Sequence, residues 1–289
     1  MGVNINILSI QSAVAYGHVG NSAAVFPLQR LGAEIWPVAT VQFSNHPGYG
    51  EYTGSVTAPD TIRALVDGIE ARGVLPDCAA LLTGYVGDPG TGGAILYAAA
   101  RLRNSRADAL WCCDPVIGDD GRIYVRAGID AFFREQAVPG ADLLTPNQFE
   151  LSVLTGLPCR ALDQTKAAAC ALLARMRAGG PRAVLVTSLV LEDTPANALD
   201  MLVATSQGCR RLRVPRLALS PNGAGDLMAA LFLFHTLHTG SPRLAMEAAA
   251  SAVHGVLTRT LAAGSRELLL VAAQDQFVTP DRQFASESC

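Results

Sequence analysis

Apolar residues in this chain fall into two alternating patterns. Short, nearly unbroken apolar runs recur at NILSI (6–10), EIWPVATV (34–41), AALLTG (79–84), ALWCCDP (109–115), DLLTP (142–146) and AVLVTS (183–188), with a weaker one at ALDMLVATS (198–206). Runs of this length without polar alternation read as strands buried on both faces. Between them, apolar positions three and four apart predict helices near 20–31, 59–72, 91–103, 147–155 and 163–178, and two longer helices follow at 225–238 and 242–262. Strands alternating with helices predict an α/β fold, a three-layer sandwich whose central, mostly parallel sheet carries helices on both faces.

That architecture gives the polar positions a meaning. Ligands of such sheets sit beyond the carboxyl ends of the strands. Ser12 follows the first predicted strand, Ser44–Asn45–His46 the second, Gly84–Tyr85 the third, Asp114 the fourth, Thr145 and Asn147 the fifth, and Thr187–Ser188 the sixth. Parallel strands would gather all of them on one rim, which is where a small-molecule site would form.

Composition narrows the class. Half of the 289 residues are hydrophobic, 16% are charged and the net charge is -3, enough apolar matter for a large core and no basic footprint for nucleic acid. No linker divides the chain, so residues 1–289 are expected to form a single domain. The apolar stretch 227–234 is too short to cross a bilayer, and the start, MGVNINILSI, lacks the basic flank of a signal peptide. Asn6 also departs from the Ser/Thr of a myristoylation motif. Seven cysteines, including the adjacent Cys112 and Cys113, show no C-x-x-C spacing. The expectation is a cytoplasmic protein with small-molecule partners, no nucleic acid and no membrane.

Much chemistry is eliminated by what the chain lacks. IQSAVAYGHVGNS fails the G-x-G-x-x-G spacing, and neither G-x-x-x-x-G-K-[ST], G-x-S-x-G nor H-E-x-x-H occurs. The one lysine, Lys166, lies in the surface-like helix DQTKAAACALLARM, which argues against a Schiff base or a phosphate-gripping lysine. His235 and His238 read as core or edge residues of an apolar helix.

Two constellations remain. In SPNGAGDLM (220–228), Gly223 and Gly225 flank Ala224 at the start of a long helix, followed by Asp226. A helix N-terminus favours anions, so Asp226 is either an ordinary first-turn acid or a base held beside a bound anion. Asp114, Asp119 and Asp120 of CDPVIGDDG, with Asn147 and Glu150 of TPNQFE, form a set of hard oxygen donors suited to Mg²⁺. Asn147 and Glu150 also fit a capping box. Magnesium donors, a glycine-walled helix start and one carboxylate together point to phosphoryl transfer.

The set resembles the ribokinase superfamily, whose G-A-G-D signature matches residues 223–226, and within it the pyridoxal kinases. The resemblance runs through IQSAVAYGHVGNSAAVFPLQRLG, TVQFSNHPGYG, LLTGYVGD, CDPVIGDDG, TPNQFE, VLVTS, G-A-G-D and VAAQDQF. It implies a ribokinase-like sandwich without a large separate lid, and ATP-dependent phosphorylation of the 5′-hydroxymethyl group of pyridoxal, with pyridoxine and pyridoxamine as further candidates. It implies that Ser12, Val19, His46, Pro47, Gly48 and Tyr85 line the substrate pocket. Asp114, Asp119 and Glu150, with Asn147, would surround magnesium and phosphates. Tyr124, Thr187, Ser188, Val214, Pro215, Arg216 and Leu217 would lie along ATP. Asp114, Thr145 and Thr187 match a monovalent cation site, expected to take K⁺. Asp226 would be the base, with Gly223, Ala224 and Gly225 receiving the developing charge. A homodimer is the family habit. Two positions depart from the pattern: Pro47 replaces a common threonine, and Thr187 stands where some bacterial members have lysine. A hydroxymethylpyrimidine kinase and a non-catalytic pyridoxal binder are the alternatives.

Overall fold

A computed structural model describes residues 5–219 and 221–289. The first four residues of the amino-terminal stretch, and Ser220 of SPNGAGDLM, lie outside the described residues. The strands are β1 (Asn6–Tyr16), β2 (Glu34–Asn45), β3 (Gly54–Val56), β4 (Cys78–Thr83), β5 (Leu110–Cys113), β6 (Gly118–Asp119), β7 (Arg122–Ile123), β8 (Leu143–Leu144), β9 (Ala183–Leu189), β10 (Ala198–Thr205), β11 (Gly208–Pro215) and β12 (Glu287–Ser288). The helices are α1 (Asn21–Arg30), α2 (Pro59–Glu70), α3 (Thr91–Ser105), α4 (Ile129–Phe132), α5 (Val138–Gly140), α6 (Gln148–Thr155), α7 (Leu162–Arg175), α8 (Ala224–Thr239), α9 (Pro242–Ala262) and α10 (Asp275–Val278).

Ten strands form one sheet in the order β12-β11-β10-β9-β8-β5-β4-β1-β2-β3, and β6 and β7 form a separate hairpin. The six strands from β2 through β1, β4, β5 and β8 to β9 are parallel, as their continuous apolar runs predict. Side-chain alternation divides each run between two cores. Cys113, Trp111, Leu81 and Val184 pack with Ile95 of α3 and Leu172 of α7 on one face. Cys112, Leu82 and Leu185 pack with Leu28 of α1, Leu231 of α8 and Ala249 of α9 on the other. The adjacent cysteines are thus buried thiols pointing to opposite faces, not a pair.

The structure corrects the sequence reading in three places. β1 and β2 continue past the body of the sheet, so Ser12, Ser44 and Asn45 lie within strands rather than after them. The register shifts between Gln11 and Ala13, and the gap is bonded by the buried Asn21. Its Nδ2 donates to Gln11 O at 3.2 Å and Val38 O at 3.1 Å, and its Oδ1 accepts from Ser9 Oγ at 2.7 Å. The extra residue lies in β2, where Thr40 and Val41 stand against Ser12, and pairing resumes from Ala13 with Gln42 to Tyr16 with Asn45. The second difference is β11, GCRRLRVP, whose three arginines disguise a strand. Arg211 and Arg213 are paired with the fully buried Asp200, and Arg211 also with Asp193. Helical residues 129–140 were also missed, because they are broken into short pieces.

The Asp200 cluster predicts a specific acid sensitivity. Burial raises its carboxyl, but hydrogen bonds from Arg213, Arg211 and Thr194 outweigh that and hold it at about 2. A depressed folded-state value stabilises the fold above the ordinary carboxylate range and ceases to do so as pH falls through 2. Asp200→Ala, which strands two arginines, should cost roughly 3–5 kcal/mol in urea unfolding and remove this component of the acid transition.

Candidate active site

The carboxyl ends of β1, β2, β4, β5, β8 and β9 share one rim, and α8 starts against it. Asp114, 6% exposed, follows β5 and accepts a hydrogen bond from Thr145 Oγ1 at 2.8 Å. Burial, then the negative charge of Asp226, push its carboxyl up to about 7, against the opposing Thr145 bond. Asp226, half-buried, is raised chiefly by desolvation, with the Gly20 N–H opposing. Glu150 is raised well above its ordinary value by burial and then by Asp114. All three carboxyls are raised first by burial, and Asp114 and Glu150 further by the charge of a neighbouring acid.

Asn147 and Glu150 make the capping box of α6: Glu150 N donates to Asn147 Oδ1 at 2.8 Å and Asn147 N to Glu150 Oε2 at 2.9 Å. The same two side chains also hold the β6–β7 hairpin. Glu150 Oε1 accepts from Ile117 N at 2.9 Å and Gly118 N at 3.4 Å, while Asn147 Nδ2 donates to Gly118 O at 2.8 Å. Three backbone donors leave Glu150 the least free of the expected metal donors. Asp119 is exposed on the hairpin, with Oδ1 accepting from Asp120 N at 2.9 Å. Among the described residues no three His, Cys, Asp or Glu side chains form a closed metal cage. The donor set is nonetheless chemically right for Mg²⁺, which is commonly held by one or two carboxylates plus phosphates and water.

Tyr124 follows the hairpin and is 59% exposed as a residue. Desolvation, and then Glu150, Asp114, Asp226 and Asp119, push its hydroxyl far above its ordinary range, which puts it within the field of the carboxylates. Thr187 N donates to Pro146 O at 3.0 Å, joining the turn that carries Thr145 to the end of β9. Ser188, exposed, has φ 54, a strained value for a non-glycine residue and one that tends to occur at functional sites. β10 is antiparallel to β9 and β11 to β10, so Val214 and Pro215 reach the same rim, with Arg216 and Leu217 following.

The substrate side is built by the loops after β1 and β2. Ser12 is buried, Val19 and Tyr85 are half-buried, and Tyr85 O accepts from Thr40 Oγ1 at 2.8 Å. Pro47 and Gly48 are exposed and open a short 3₁₀ turn, Pro47–Tyr49. Proline there occupies a first helical position whose N–H has no intrahelical acceptor, which accounts for Pro47 in backbone terms. His46 is buried, and its Nε2 donates to Glu267 Oε1 at 2.9 Å. Glu267 and Tyr49 were missed in the sequence. Nothing in SRELLLV marks its acid, more than two hundred positions from its partners, as part of a site.

At the start of α8, Gly223 has φ 88 and caps the helix. A Cβ there would run into the His18 carbonyl, so only glycine permits this approach. The first intrahelical bond runs from Leu227 N to Gly223 O at 2.9 Å, leaving the N–H groups of Ala224, Gly225 and Asp226 without intrahelical acceptors. A Cβ on Gly225 would meet nothing within 4 Å, so this face is open. His235 and His238 are remote from chemistry in another way: both pack on Phe234, as core or edge residues do.

A family model described as phosphomethylpyrimidine kinase matches residues 76–270. A pyridoxal kinase PdxY of Granulibacter bethesdensis is 57% identical over 286 residues, 99% of this chain and 100% of that protein. That of Deinococcus radiodurans is 52% identical, covering 98% and 96%. Among solved structures, the pyridoxal kinase of Leishmania donovani in complex with ADP and pyridoxamine superposes with a TM-score of 0.90 at 30% identity, over 99% of this chain and 100% of that one.

The two glycines should respond differently to alanine. Gly223→Ala meets both a positive φ and the His18 carbonyl, and is expected to lower stability by more than 1 kcal/mol and to disturb turnover. Gly225→Ala has room and should leave the melting temperature nearly unchanged, so any loss of turnover reports on the occupied face rather than the fold. Thermal melts of both variants beside a kinase assay make the comparison.

Proposed function

We propose, for a chain that belongs to the pyridoxal kinase family, that it transfers the γ-phosphoryl group of ATP to the 5′-hydroxyl of pyridoxal, the salvage step that yields pyridoxal 5′-phosphate. The observation that carries this is Asp226, set at the open N-terminus of α8 beside Asp114 on the rim. A raised, partly desolvated carboxylate is suited to take the proton of the attacking hydroxyl. The N–H groups of Ala224 and Gly225, free of helical partners, stabilise the charge developing on the transferred group. Ser12, Val19, His46, Pro47, Gly48 and Tyr85 hold the ring, while Tyr124, Thr187, Ser188 and Val214 to Leu217 flank the nucleotide.

Asp114, Asp119 and Glu150 would hold Mg²⁺, with Glu150 the least free of the three because its oxygens already accept backbone donors. Bound there, the ion supplies neutralisation of the ATP phosphates and of the crowded acids. Asp114, Thr145 and Thr187 hold K⁺. The reading includes a homodimer acting in the cytoplasm. Among the described residues no helix is long and apolar enough to cross a membrane. A hydroxymethylpyrimidine kinase and a non-catalytic binder are not favoured, since the full-length relatives carry the name pyridoxal kinase and a binder has no use for a base at Asp226.

Asp226→Asn keeps the shape and the helix start while removing the proton acceptor. Single-turnover phosphoryl transfer at saturating ATP and pyridoxal should fall by about 10²–10⁴. A rate within a few-fold of the parent would return Asp226 to the role of a first-turn acid. Turnover should also vanish on exhaustive chelation of divalent ions and return with Mg²⁺, and K⁺ should stimulate it relative to a bulky organic cation; full activity after chelation would contradict the metal assignment.

A further inference from the structure

Glu267 lies outside the phosphoryl-transfer machinery, yet its carboxylate joins three segments that are far apart in sequence. Oε1 accepts from Tyr49 Oη at 2.6 Å and lies 2.9 Å from His46 Nε2; Oε2 accepts from His18 N at 3.1 Å. His18 belongs to the loop after β1, and His46 and Tyr49 to the loop after β2. Gly17 lies so close that a Cβ would come within 2.6 Å of Oε2. The Tyr49 ring is packed by His46 at 4.7 Å, by Tyr16 at 5.8 Å and by the Arg266 guanidinium at 4.8 Å. Burial opposes ionisation of Glu267, but the bonds from Tyr49 and His46 prevail and hold its carboxyl below the ordinary range.

A carboxylate can only accept, so His46 must carry its proton on Nε2, which in the neutral ring leaves Nδ1 as an acceptor. His46 Nδ1 is buried and has no partner. It faces Gly48 and Asn222: a Cβ on Gly48 would sit 2.8 Å from both His46 Nδ1 and Asn222 Nδ2. Asn222 directly precedes Gly223, so this unused acceptor lies between the substrate loop and the catalytic turn. A buried acceptor without a donor is costly, and a ligand that brings a hydroxyl relieves that cost.

We propose that Glu267 is a positioning residue: it clasps the loops after β1 and β2 together and fixes the His46 ring so that Nδ1 accepts a hydrogen bond from a hydroxyl of the bound pyridine substrate. The assignment rests on the pyridoxal kinase reading for the nature of that substrate, but not for the clasp itself.

Glu267→Gln preserves size but puts an NH₂ where one of three donors now finds an acceptor. In the ligand-free protein, deuterium exchange at the amides of residues 17–20 and 46–50 should rise about tenfold while that of α8 and α9 stays as in the parent. KM for pyridoxal should rise about tenfold, with kcat and the KM for ATP within about threefold, the pattern of lost ground-state positioning. Tyr49→Phe, which deletes one donor, should move both readouts the same way and less far; it carries the test if Glu267→Gln does not fold. Unchanged loop exchange overturns the clasp. Changed exchange with an unchanged pyridoxal KM, an equal rise in both KM values or a loss confined to kcat overturns the positioning role. A parent chain that turns over no pyridoxal at all overturns the substrate and leaves the exchange result to decide the clasp.

Discussion

Three acids on one rim, Asp114, Glu150 and Asp226, constrain this molecule more than any other feature. The charges that act on Asp114 and Glu150 are those of neighbouring acids, and all three carboxyls are displaced upward. Such a cluster is unfavourable for folding taken alone, because desolvation and mutual repulsion both oppose ionisation.

The scaffold tolerates that cluster because rigid backbone holds each acid. Asp114 ends a strand in the centre of the parallel sheet, Asp226 sits in the first turn of a helix buried along its length, and Glu150 is fixed by three backbone donors. Asn147 and Glu150 do two tasks with one geometry, capping α6 and tethering the hairpin that presents Asp119 and Tyr124. The capping and site readings of these residues are thus compatible. The opposite wall is built differently: β1 and β2 run on together past a register shift where Asn21 bonds to both, and Glu267 ties the loops beyond them.

Much of the fold was legible because a parallel sheet covered on both faces demands continuous apolar strands, and those runs are local. NILSI, AALLTG, WCC and AVLVTS each declare themselves. The elements that escaped notice are those whose polar content is satisfied at a distance. GCRRLRVP is a strand only because Asp200 and Asp193 receive its arginines, and residues 129–140 are helical only in fragments. The extensions of β1 and β2 run past a register shift to which the distant Asn21 bonds, which no periodicity reports.

The sequence by itself determined the sheet, the rim on which its polar residues gather, and the G-A-G-D turn, because strand periodicity, glycine freedom and helix polarity are properties of short segments. Tertiary structure alone decided which acids crowd one another, that Pro47 serves a 3₁₀ turn, and that Glu267 closes on His46, Tyr49 and the His18 amide. Those are contacts between segments separated by tens to hundreds of residues. Their energies arise from burial and mutual charge, which come into being only when the chain has folded.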